Sequence, residues 1–169
     1  MRLDRVNSGR EKGITMIEIL VTLVIVSVGL LGAAAMVIKG LESNRNAYLR
    51  TQASILAYDM ADRIRANSER ALAGDYDGFD IASAPDLPGC YSSGSGCNSN
   101  TVVNVDKALW ARSLIGAEDA ATMLPEASGT IERNGETFDI TIIWQQVGWS
   151  SDDSEFNNVS QQFVLTFNL

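Results

Sequence analysis

Glu18 is a carboxylate at the head of twenty residues, Ile19 to Ile38, that carry no charge at all. A charge beside hydrocarbon costs about a few kcal/mol or more, so such a residue is expected to have a partner. The plainer alternative is that it sits at headgroup depth near a helix start, where the helix dipole favours an anion. A second reactive pair is Cys90 and Cys97, the only cysteines, separated by a short loop of Tyr, Ser and Gly. In an oxidising compartment two such cysteines are expected to form a disulfide. Asp75, Asp77 and Asp80 resemble a calcium loop, but the glycine at position six and the glutamate at position twelve are missing, so no metal site is expected. The chain has no histidine, which removes Ser–His and Cys–His nucleophile pairs and the commonest metal ligand. No Gly-rich phosphate loop follows a strand-like run. Asp152–Asp153 falls in an acidic, solvated loop. Asn158-Val159-Ser160 matches a glycosylation sequon that a bacterial setting would leave unused. We therefore expect no catalytic residue, no cofactor and no enzyme activity.

The elements that position these groups follow from periodicity. Ile19 to Ile38 as a helix reaches roughly 30 Å, the thickness of a bilayer core. After Ile38 polarity changes but helical spacing continues, with Leu49, Ala53, Leu56, Met60 and Ile64 on one stripe. No proline occurs before Pro85, and Glu42–Arg45 and Asp59–Arg63 are helix-neighbour pairs of opposite sign. This predicts one helix from about Thr15 to about Leu72, apolar all round in its first half and amphipathic in its second. Gly74 to Asn100 reads as loop. Asp106 to about Ala121 reads as a second helix, with Leu109, Trp110, Leu114 and Ile115 on its apolar side and Leu124-Pro125 ending it. Asn134-Gly135 signals a hairpin. Phe138, Ile140, Ile142 and Trp144 then alternate with polar positions, and Phe163, Leu165, Phe167 and Leu169 do the same. Period two with one buried face predicts an antiparallel sheet laid on a helix, an α+β fold. Between these strands, Gly148 to Asn158 reads as an exposed acidic excursion whose Trp149 is a packing lid or a contact residue.

Lys12-Gly13-Ile14-Thr15-Met16-Ile17-Glu18 resembles the prepilin signature of the type IV pilins, which the type II secretion pseudopilins share. The resemblance covers roughly the first 40 residues. It implies that a prepilin peptidase cleaves Gly13–Ile14 and methylates the new terminus at Ile14. It also implies that Glu18 pairs with a neighbouring subunit's amino terminus. Isoleucine stands where the first mature residue is usually phenylalanine. The physics agrees, because an amine and a carboxylate both withdrawn from water must find each other. Glu18 could satisfy its own amine one turn away or another subunit's. Asp59 to Asn67 is similar to the corresponding helix of PilV-type minor pilins, although its arginines also suit a solvated face. In many major pilins the disulfide encloses a carboxy-terminal loop, so Cys90 and Cys97 depart from that placement.

Removing residues 1–13 takes away four basic and two acidic residues, so the formal charge moves from −8 to about −10. An acidic chain does not suit nucleic acid, whose phosphates must be neutralised by Lys and Arg. The leader differs from a secretory signal, which is cut after its apolar segment and loses it. Arg2, Arg5, Arg10 and Lys12, against Lys39 and Arg45 with Glu42 beyond the apolar run, place the amino terminus in the cytoplasm and the domain outside the inner membrane, in a periplasm. The expected organisation is a leader (1–13), a transmembrane or filament-core helix (14–38), its amphipathic continuation (39–73) and a periplasmic domain (74–169). The expected role is a minor pilin in type IV pilus assembly or modification, partnered by prepilin peptidase and by other minor and major pilins. The alternatives are a minor pseudopilin of a type II secretion filament and a membrane-anchored periplasmic binding module.

Overall fold

The computed structural model describes residues 13–116, 124–150 and 155–169. The chain divides into two compact units, Met1–Asn44 and Arg45–Leu169. Within the first, residues 16–44 belong to helix α1, Met16–Ala66, which runs on into the second. Thr15 caps it: its side-chain oxygen accepts the Glu18 N–H at 3.3 Å, in the Thr-x-x-Glu pattern of a capping box. Every residue from Met16 to Gly40 is exposed, Leu20, Leu23 and Leu31 among them. The two hydroxyls of this stretch are satisfied by the helix itself, Thr22 on the Glu18 carbonyl at 2.9 Å and Ser27 on that of Leu23 at 2.7 Å.

In the second unit the stripe Leu49, Ala53, Leu56, Met60 and Ile64 is buried, joined by Ala57 and Ala61. The helix stops at Ala66, short of the expected Leu72. Asn67 leaves helical geometry (φ −120°, ψ 45°) and turns its amide nitrogen to the Ser99 carbonyl at 2.9 Å, and a separate one-turn helix α2, Ser68–Leu72, follows. Helix α3 covers Ser99–Ile115, beginning seven residues before the expected Asp106. The start signal is Asn98, whose side-chain oxygen accepts the Thr101 N–H at 2.9 Å. Gly116, at φ 81°, closes it; residues 117–121, expected as helix, lie outside the described residues. Trp110 and Leu114 are buried as expected, but Ile115 is exposed.

Strands β1 (Phe79–Asp80), β2 (Ser128–Asn134), β3 (Thr137–Ser150) and β4 (Glu155–Asn168) form one antiparallel sheet in that order. The hairpin lies one residue later than Asn134-Gly135 suggests. Asn134 pairs with Thr137 inside the ladder, so the turn residues are Gly135 and Glu136, with Gly135 at φ 66°. The alternation places Phe138, Ile140, Ile142 and Trp144 in the core, with Phe138 stacked on Phe167 at 5.6 Å. Gly148 to Asn158 differs most from the expected loop. The β3–β4 ladder continues through Gly148↔Asn157 to Ser150↔Glu155. Hydrogen bonding between two adjacent strands outweighs the polar composition there. Asp152–Asp153 and the Trp149 side chain lie outside what is described.

Gly129 fixes how α3 meets the sheet. A Cβ there would stand 2.7 Å from the Trp110 ring and 2.9 Å from Leu114. Trp110 in turn donates its indole N–H to the Leu56 carbonyl at 2.9 Å, which ties α3 to α1.

Candidate functional site

Gly13 and Ile14 precede the first helical turn, both exposed, and Ile14 is 73% accessible. The bond between them lies in non-helical chain. Glu18 occupies the third position of α1, where the helix dipole favours an anion and the capping box employs its backbone N–H. The signal for the capping role of Thr15 is local, the Thr-x-x-Glu spacing of Thr15-Met16-Ile17-Glu18. After Glu18 comes one 18-residue window of mean hydropathy 2.6 with none of it buried within the protein. This helix is long and apolar enough to cross a membrane. A Cβ at Gly29 or Gly32 would meet nothing within 4 Å, so both glycines leave flat, open helix surface.

Residues 8–34 match the family described as the prokaryotic N-terminal methylation motif. The chain carries a prepilin-type methylation motif. That motif indicates a type IV pilin-like protein processed by prepilin peptidase and associated with a membrane, and it is a mark of structural proteins. It spans Gly13, Ile14, Glu18 and most of the apolar run. The comparisons with curated proteins and with solved structures return no match.

Of the helix-neighbour pairs expected from the sequence, Asp59–Arg63 forms within the domain, whereas Glu42 pairs with Lys39 at 3.1 Å in place of Arg45. Arg63 donates to Asp59 at 2.9 Å and to Asp106 at 3.3 Å, and Arg65 pairs with Asp62 while lying over the Phe167 ring. Asp106, the buried charged residue of the core, also accepts the Tyr76 hydroxyl at 2.7 Å. Burial depresses the Arg63 pKa, but the bonds and charges of Asp59 and then Asp106 outweigh it and leave it raised. Burial, then the bond to Asp106, raises that of Tyr76. Burial lowers that of Lys107, against the opposing charges of Asp75 and Asp77. Nothing in the sequence flagged Asp106 as more than a helix residue, because its partners lie 30 and 43 positions away.

Asp75 pairs with Arg70, Asp77 with Arg133 at 3.0 Å, and Asp80 accepts the Ala82 N–H at 2.8 Å. Their carboxylates point to separate protein partners instead of a common centre. Among the described residues no cluster of three or more Cys, Asp or Glu side chains could hold a metal ion. Cys90 and Cys97 are joined in a disulfide, Cα–Cα 5.1 Å, which closes an exposed loop.

Proposed function

We propose that this protein is a minor pilin of PilV type, cleaved at Gly13–Ile14, N-methylated at Ile14 and inserted into or beneath a type IV pilus. The observation that carries the reading is the methylation motif at the head of a 51-residue helix whose first part is apolar and entirely exposed. A soluble domain gains nothing from such a surface, whereas a subunit held first in a bilayer and then among parallel helices requires it. Residues 14–38 form the membrane and fibre-core segment, with Gly29 and Gly32 permitting close helix approach. The leader is cytoplasmic and the domain from residue 74 onward periplasmic. Cleavage creates a cationic amine at Ile14, methylation keeps its charge, and Glu18 is its partner on a neighbouring subunit during packing. The partners are prepilin peptidase and other major and minor pilins.

Deleting the gene and scoring surface pili against secreted enzymes tests the assignment. Loss or alteration of pili with secretion intact supports it, and the reverse assigns the protein to a type II secretion filament.

A further inference from the structure

Asn134-Gly135 serves the fold as a turn, and it also carries a reactive pair. Among the asparagines of this chain, Asn134 is the one followed by glycine. The backbone nitrogen after an asparagine can close a five-membered ring on the side-chain amide carbon, and glycine, lacking a Cβ, leaves that nitrogen unshielded. Asn67 and Asn98 are each followed by serine, but their amides are engaged. Asn67 donates to the Ser99 carbonyl at 2.9 Å, and Asn98 accepts the Thr101 N–H at 2.9 Å. Asn134 and Gly135 are exposed, and among the described residues no bond engages the Asn134 side-chain amide or the Gly135 N–H.

The register decides how readily that ring can close. Asn134 pairs with Thr137 as the last rung of the β2–β3 ladder, so its backbone is held extended. Ring closure must swing the Gly135 nitrogen onto Asn134 Cγ, which turns ψ of Asn134 far from the extended range and breaks the rung. Asn168 and Leu169 latch the rung in place. Thr137 donates its hydroxyl to Asn168 Oδ1 at 2.8 Å, and Leu169 donates its N–H to the Glu136 carbonyl at 3.2 Å. Gly135, at φ 66°, stands at the tip, where an added Cβ would meet nothing within 4 Å.

We propose that Asn134 is a site of spontaneous deamidation and isomerisation whose rate is set by opening of the β2–β3 turn. The Gly135 amide nitrogen, giving its proton to solvent base, bonds to Asn134 Cγ, and the side-chain nitrogen leaves as ammonia. Water then opens the succinimide. Cleavage of the Cγ–N bond gives aspartate. Cleavage of the backbone C–N bond gives isoaspartate, whose main chain runs through Cγ. Either product takes the formal charge from −8 to −9. The new carboxylate lies next to a ladder that already sets Glu132 opposite Asp139, and like charges directly opposite destabilise pairing. Isoaspartate also adds one carbon to the main chain, so the Asn134↔Thr137 rung cannot re-form in register and the bonds to Asn168 and Leu169 lose their seat.

Full-length protein incubated at neutral pH tests this, read by the mass of the peptide containing Asn134 and by enzymatic methylation of isoaspartyl carboxylates. Native protein should convert at Asn134 about tenfold more slowly than protein unfolded in guanidinium chloride, the factor that one backbone hydrogen bond supplies. Asn168→Ala and Thr137→Val remove the same latch bond from its two sides, and each should speed native conversion by about threefold while the domain stays folded by circular dichroism. Asn134→Gln, which would have to close a larger ring, should give no product and melt as wild type. The proposal is overturned if native protein shows no product after about ten half-lives of the unfolded reaction, well beyond the slowing that one rung supplies. It is overturned equally if native and unfolded protein convert at the same rate, if both latch variants match wild type, or if Asn134→Gln protein gains the same mass at that peptide.

Discussion

Asp106 is where side-chain identity matters most inside the domain. Its carboxylate is buried between Tyr76 and Arg63, and removing either partner leaves a charge short of hydrogen bonds. Tyr76→Phe should destabilise the domain by about 1.5–3 kcal/mol, the range for bonds to charged groups. It should also change the alkaline limb. The folded pKa of Tyr76 lies above its ordinary 10.0, so its contribution is complete below pH 10 and is lost as pH rises beyond it. Lys107, whose pKa is lowered, works in the opposite sense toward 10.5, and comparison with the single variant cancels it. Thermal melts from pH 8 to 11 should show a shallower alkaline loss in Tyr76→Phe than in wild type; parallel limbs would contradict the role given to the hydroxyl. Trp110 and Trp144, both buried, offer a second contrast. Trp110 bonds the Leu56 carbonyl, whereas the Trp144 indole nitrogen is buried with no partner among the described residues. Replacing either with phenylalanine deletes the same volume, so denaturant unfolding should find Trp110→Phe more costly than Trp144→Phe by about 1 kcal/mol.

Among the elements, α3 and the sheet meet at a point with no spare room. Gly129→Ala drives a methyl into Trp110 and Leu114, and overpacking of this kind costs about 1–3 kcal/mol. Urea titration should show a lowered midpoint with little change in slope, and a neutral result would mean that α3 shifts without loss. The same elements show what a sequence carries. The stripe Leu49–Ala53–Leu56–Met60–Ile64 and the alternation Phe138–Trp144 were legible because period and burial agree over many residues. Helix ends were not. Asn67 breaks α1 through a bond to Ser99, 32 residues away, and α3 begins at a cap whose signal, Asn98-x-x-Thr101, lies in a polar stretch that reads as loop. The β3–β4 ribbon past Trp144 was missed because its pairing supplies what its composition lacks. At the amino terminus the methylation motif was legible because its signal is local, whereas the Asp106 cluster is made by the fold.

At the scale of the whole molecule, the chain joins a domain that buries its own core to a helical segment that buries nothing. Such a segment is stable only where lipid or other helices surround it. Glu18 is the charged residue within its first turn, so its role separates anchoring from assembly. Glu18→Ala should leave membrane insertion and cleavage intact and reduce recovery in sheared filaments by about tenfold or more, the loss expected when a buried amine is left without its carboxylate. Recovery at the wild-type level would remove the cross-subunit pairing. The most direct measurement of the account is the mass of the amino-terminal peptide of protein extracted from membranes of cells with active prepilin peptidase. A peptide beginning at Ile14 with one added methyl is the predicted result. One beginning at Met1 would contradict it and leave an ordinary membrane anchor.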